Sequence, residues 1–248
     1  MACHAPTMQR QSFVKILAVE TATLAGSVAL TEDEQLLGEI TLELPRKHSE
    51  RLVPSIEFLL DQHQLKPQEL DGLAVDIGPG SFTGLRVGLA TMKGLAFSLK
   101  KPLVGVGSLE ILVQNLALAT GLLAPVLDAR KGQIFAALFR GQGQGRPERI
   151  SEDWVLDPGD LAGKVSEPVL LFGEGARVYR EVLGASLREK AGFAPAGADQ
   201  PRAYHLARLA RPLISAGEGH DPDQWVPRYL RLSDAERLAL CHHKNSGR

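Results

Sequence analysis

The string Gly78-Pro79-Gly80-Ser81-Phe82-Thr83-Gly84 constrains the fold more than any other part of this chain. It lies between a short apolar run at 73–77 and a long helical pattern at 83–99. An apolar strand, a turn on glycine and proline, and then a helix make a βα unit of an α/β protein. Ser81 or Thr83 can cap the helix that follows. Free N–H groups at such a helix start can hold an anion. The plainer reading is a well-made turn without a ligand, and the residue types favour it.

The pattern around this unit alternates. Residues 13–20, 26–30 and 36–44 are apolar or period-2 runs joined by short turns, the pattern of an antiparallel meander. A helix is predicted over 49–63, with Leu52, Val53, Ile56, Leu59 and Leu60 in one arc and Phe58 outside it. Pro54 is expected in its first turn, where a missing N–H is tolerated. After the helix at 83–99 come a strand at 103–106 and a helix from Ser108. The second half opens alike: a strand at 123–129, a turn at 130–132, strands at 133–140 and 149–156, a short helix, a strand at 169–172 and a helix at 176–183. An amphipathic helix at 204–215 follows. The repeat predicts an α/β chain with a first lobe at 13–106, a second at 107–200, and a segment at 201–232 that returns to the first. Residues 1–12 and 233–248 are expected to be disordered ends.

Composition excludes several classes. With 248 residues, 44% hydrophobic and 23% charged, the chain can bury a proper core. A net charge of −1 does not suit a protein that grips RNA unaided, so any RNA role is expected to run through partners. Cys3 and Cys241 are the only cysteines, which is no disulfide framework. Neither a signal-peptide core nor a membrane-length apolar run is present, and a cytoplasmic location is expected.

Catalytic patterns are sparse. Glu20 and Asp128 each end the first strand of a lobe and could together orient a hydrated metal, or each could simply cap a turn. The segment Thr21-Ala22-Thr23-Leu24-Ala25 lacks the glycines that would wrap a triphosphate, which favours the turn caps. No histidine pair at helical spacing, nucleophile elbow, Walker loop or Cys-x-x-Cys occurs. The helix at 83–99 stands out for another reason. Leu85, Leu89, Met92, Ala96 and Leu99 line one face; Val87, Ala90, Gly94 and Phe97 line the other. Arg86, Lys93 and Lys100 form a narrow strip between them. A helix apolar on two sides is covered on two sides, by its own chain or by a partner.

Five segments carry a family resemblance: Ile16-Leu17-Ala18-Val19-Glu20-Thr21-Ala22-Thr23, Arg46-Lys47-His48-Ser49-Glu50-Arg51-Leu52, residues 78–88, Leu127-Asp128-Ala129-Arg130-Lys131-Gly132 and Pro227-Arg228-Tyr229-Leu230-Arg231. In order and spacing they resemble the TsaB (YeaZ) family, over about residues 16–231. Glu20 departs from the aspartate usual there. The resemblance implies an actin-like (ASKHA, ribonuclease H-like) two-lobed fold with mixed sheets. It also implies an accessory, non-catalytic role in tRNA threonylcarbamoyladenosine biosynthesis. The catalytic paralogue TsaD holds a metal with a His-x-Glu-x-His stretch, which here matches Ser108-Leu109-Glu110-Ile111-Leu112. A further aspartate ligand of TsaD falls near Tyr204. Ser108 and Leu112 supply no imidazole, so no catalytic residue and no metal is expected.

The implied partners are a TsaD-type catalytic subunit and a TsaE-type ATPase, with tRNA reached only through the complex and no membrane. A homodimer is expected when the chain is alone. No cofactor of its own is implied, although ATP or ADP could sit at the interface with those partners. The implied interface draws on Leu52, Ile56, Phe58, Leu59, Leu85, Arg86, Val87, Leu89, Ala90 and Met92. The rival readings are an active actin-like ATPase or sugar-kinase relative, which needs phosphate-binding glycines after Glu20, and a metallopeptidase, which needs the missing histidines.

Overall fold

A computed structural model describes residues 13–43 and 48–230. The first lobe opens on antiparallel strands β1 (Lys15–Glu20), β2 (Ala25–Glu32) and β3 (Gln35–Glu43). Helix α1 (His48–Gln62), strand β4 (Gly72–Asp76), helix α2 (Phe82–Leu99) and strand β5 (Leu103–Val106) complete it. The sheet runs β3-β2-β1-β4-β5, and β1, β4 and β5 are parallel. Helix α3 (Ser108–Val113) leads to β6 (Thr120–Arg130), β7 (Gln133–Ala136), β8 (Phe139–Gln142), β9 (Glu148–Arg149) and β10 (Trp154–Leu156). Then follow a 3-10 segment (Pro158–Lys164), β11 (Val169–Phe172), α4 (Glu174–Val178), α5 (Arg180–Leu187), β12 (Ala191–Phe193) and α6 (Ala203–Ser215).

The main path of the second sheet is β10-β7-β6-β11-β12, which repeats the first lobe position for position. This is the actin-like, two-lobed α/β fold with a mixed sheet in each lobe. Both faces of the first sheet are covered, which is why its central strands are apolar throughout. Leu17, Val19, Leu73 and Val75 pack with Leu52, Ile56 and Leu59 of α1 and with Leu89, Met92 and Ala96 of α2. Ile16, Ala18, Ala74 and Val104 pack on the other face with Ala203, Leu206, Ala207 and Ala210 of α6. Helix α3 is the joint. Its Ile111 belongs to that second core, while Leu109, Leu112 and Val113 belong to the core of the second lobe.

Several expectations need correction. Helix α1 begins at His48, so Pro54 sits in its second turn, where its missing N–H removes one intrahelical bond. Val53, placed in the buried arc, is 46% exposed. The helix expected at 176–183 is two helices that meet at Tyr179, whose φ of −106° and ψ of 23° are not helical. The strand at 133–140 breaks at 137–138, yet β7 and β8 keep one register on β6: Val126 faces Ala136 and Leu123 faces Phe139. The strand at 149–156 divides into β9 and β10. Strand β12, with three residues, is too short to show periodicity. The terminal segments 1–12 and 233–248 lie outside the described residues, among which no helix is long and apolar enough to cross a membrane.

Candidate functional site

The glycine string is a packing device. Ser81 caps α2 by accepting from the Gly84 N–H at 3.2 Å, and its own N–H reaches the Ala22 carbonyl at 2.7 Å. Gly80, Gly84 and Gly88 lie one turn apart and bring α2 onto the loop after β1. A Cβ on Gly80 would stand 2.6 Å from that of Ala22, and one on Gly84 or Gly88 would overlap Thr21. Thr21 Oγ1 donates to the Gly84 carbonyl at 2.9 Å. The plain reading of the motif therefore accounts for its glycines.

The two stripes of α2 now separate. Leu85, Leu89, Met92 and Ala96 are buried in the sheet-facing core. Val87 is half-buried, Ala90 and Gly94 are exposed, and Phe97 is 86% exposed. Six of the expected interface residues, Leu52, Ile56, Leu59, Leu85, Leu89 and Met92, are thus buried in this chain's own core. They face the sheet because they carry the apolar arc of each helix. Phe58, Arg86 and Ala90 are exposed. Arg86 lies 3.8 Å over the Phe82 ring and donates to the Tyr229 hydroxyl at 2.9 Å.

At the carboxyl ends of β1 and β4 two acids meet. The parallel register pairs Val19 with Val75, which sets Glu20 beside Asp76 one residue on. By the alternation of the strands, both point toward the face covered by α6. Each is completely buried. Glu20 Oε1 accepts from the Ala22 N–H at 2.6 Å; Asp76 Oδ1 accepts from the Gly78 N–H and the Ser108 hydroxyl, each at 2.7 Å. Glu20 Oε2 and Asp76 Oδ2 have no protein partner. Burial pushes the Asp76 carboxyl up to about 7, against the pull of the Gly78 N–H, the Ser108 hydroxyl and the Arg228 charge. Burial, then the Asp76 charge, holds Glu20 well above the usual carboxylate range, and Glu174 of the second lobe adds to this. Arg228 arrives on a C-terminal segment whose backbone N–H bonds the Ile77 carbonyl at 2.7 Å.

Asp76 and Arg228 were not singled out as site residues. The signal was there, since Leu17-Ala18-Val19-Glu20 and Leu73-Ala74-Val75-Asp76 are near copies.

Asp128 does not meet Glu20. It accepts from its own turn, the Arg130 N–H at 2.8 Å, and from the Tyr179 hydroxyl at 3.1 Å. Ser108 and Leu112 are fully buried, the first on Asp76 and the second in the core of the second lobe. Glu110 between them pairs with Arg146. Tyr204 lies elsewhere: its N–H donates to Glu39 at 3.0 Å and its hydroxyl to the Glu34 carbonyl at 3.3 Å. Among the described residues, no group of three or more His, Cys, Asp or Glu is placed to hold a metal ion.

The family model described as TsaD, tRNA N6-adenosine threonylcarbamoyltransferase, matches residues 35–238. The tRNA threonylcarbamoyladenosine biosynthesis protein TsaB of Bacillus subtilis is 33% identical over 89% of this chain and 96% of its own. TsaB of Escherichia coli is 36% identical over 88% of this chain and 95% of its own. The solved structure of YeaZ from Pseudomonas aeruginosa is 30% identical, covers 88% of this chain and 100% of that one, and superposes with a TM-score of 0.75. The chain belongs to the TsaB (YeaZ) family of tRNA threonylcarbamoyladenosine biosynthesis proteins.

Proposed function

We propose that this chain is an accessory subunit of threonylcarbamoyl transfer to the tRNA adenosine beside the anticodon, and not the catalyst. It pairs with a TsaD-type catalytic subunit through the outward stripe of α2, and a TsaE-type ATPase joins them. The observation that carries this reading is that stripe: Ala90, Gly94 and Phe97 face outward on a helix whose other face is already filled. Helix α1 packs beside α2 and adds Val53 at 46% and Phe58 at 55% exposure. These side chains leave apolar surface on both helices that a partner can cover. With the partner absent, the same stripe would meet a second copy of the chain.

Two features support the accessory role. Ser108 and Leu112 stand where the catalytic paralogue carries histidines, and Ser108 already serves Asp76. The loop after β1, Thr21-Ala22-Thr23-Leu24-Ala25, has none of the glycines that would let the backbone wrap a phosphate. ATP or ADP bound at the joint surface of the complex is compatible with both, and the tRNA is reached through the partners.

A charge placed on each stripe tests the reading. Ala90→Glu should melt like the parent chain and no longer capture the TsaD-type subunit. Leu89→Glu should unfold, because a stranded buried charge costs several kcal/mol against a total of roughly 5–15. Undiminished capture by Ala90→Glu would remove α2 from the interface.

A further inference from the structure

We propose that Glu20 and Asp76 hold one proton between them at neutral pH, and that this proton makes the junction of the two lobes a pH-sensitive joint. The inference stands apart from the partner reading and rests on the geometry of the pair. Two fully buried acids are neighbours on adjacent parallel strands. One oxygen of each is used by backbone N–H groups or by Ser108, and the other oxygen of each has no protein partner. A single proton removes one of two adjacent buried charges, and a carboxyl that carries it can donate where a carboxylate cannot.

The surroundings compensate the pair only in part. From α3 comes the neutral Ser108, and from the C-terminal segment the cation Arg228. From α4 in the second lobe comes Glu174, a like charge. The buried face of α6 offers one titratable group, His205, which burial and then Arg202 and Arg208 push down to about 4, so it is neutral over the relevant range. A second negative charge on the pair would therefore be repelled across the cleft by Glu174, beside the α3 joint. Both carboxyls are shifted upward, so the folded chain keeps a proton that the unfolded chain releases near pH 4. The resulting stability is fully present in acid and is lost as pH rises through about 7.

The test is thermal melting of the full chain between about pH 5.5 and about pH 8.5, with difference infrared spectroscopy alongside. The parent midpoint should fall by roughly 4–8 °C over that range. Asp76→Asn keeps the acceptor for Gly78 and Ser108 and should flatten the curve by raising its alkaline end. Glu20→Gln should do the same, and serves if Asp76→Asn does not fold. The infrared spectrum at neutral pH should show a protonated carboxyl band that weakens in either variant and is missing when the two substitutions are combined. Parallel melting curves for parent and variants, or no such band, would overturn the proposal. It would equally be overturned if magnesium or calcium chloride raised the alkaline midpoint of the parent but not of the variants, since the pair would then be a cation site.

Discussion

Two glycine turns, one in each lobe, share a backbone solution and differ in charge. Gly78 after β4 has φ 100° and Gly173 after β11 has φ 105°, a region that glycine enters without strain. Each donates its N–H to a buried carboxylate, Gly78 to Asp76 at 2.7 Å and Gly173 to Asp199 at 2.9 Å. In the second lobe the guanidinium of Arg177 bonds the other oxygen of Asp199. The strand-end acid there, Asp128, pairs with Arg130 at 3.1 Å. The second lobe thus neutralises its acids with its own arginines. In the first lobe Asp76 lies beside another acid, and the cation that faces it, Arg228, comes from the far end of the chain. Equivalent strand order dictates where acids can sit, but not how their charge is met. The first lobe is completed late, by α6 and by the segment that carries Arg228.

The largest expected effect tests whether both lobes depend on close approach at these turns. A Cβ on Gly84 would overlap the Thr21 carbonyl oxygen; one on Gly175 would stand 2.6 Å from the Leu127 carbonyl carbon. Gly84→Ala should cost about 3 kcal/mol or more in urea unfolding, because α2 runs 18 residues and is seated on the sheet along its length. Gly175→Ala should cost less, since α4 has five residues and ends at Tyr179, so it can shift. A larger loss at Gly175 would reverse the view that the first lobe is the more tightly seated at its turn.

Much of this arrangement was legible in the sequence, and what was not depends on contacts between distant segments. The 4-3-4-3 spacing of Leu85, Leu89, Met92 and Ala96 marked the buried stripe of α2, and the repeated strand-turn-strand opening marked two lobes. Which stripe faced outward could not be read from α2 alone, because only α1 and the sheet decide it. Asp76 looked like an ordinary strand end, and only the register of β1 on β4 makes it a neighbour of Glu20. Arg177 and Asp199 meet through the turn at Gly173, a contact that no periodicity announces.

Arg177→Gln should leave the second lobe with a buried acid that its own arginine no longer meets. The substitution leaves Asp199, whose side chain is 9% exposed, without its cation. The Arg177 side chain is itself 37% exposed, so solvent lowers the penalty, to about 2 kcal/mol. Arg177→Lys keeps a cation near Asp199 and should lose less. Urea unfolding of the two variants checks this. Equal losses in both would mean that Arg177 acts by packing and by its bond to the Ala194 carbonyl, and not by compensating charge.

The smallest effect is expected at Asp128, and it is the sharpest contrast with Asp76. In Asp128→Asn the amide oxygen can still accept from the Arg130 N–H and the Tyr179 hydroxyl, the two bonds that close the turn. What disappears is the ion pair with Arg130, whose side chain is 62% exposed. Such a pair contributes up to about 0.5 kcal/mol, and salt screens it. The midpoint should therefore move by about 2 °C at most. Asp76→Asn is the same change of one oxygen for one NH₂ group, on the strand beside the one that corresponds to β6, and it should reshape the pH curve. If Asp128→Asn also bends that curve, the charge of Asp128 is met less fully than its partners suggest. The two lobes would then handle their acids alike.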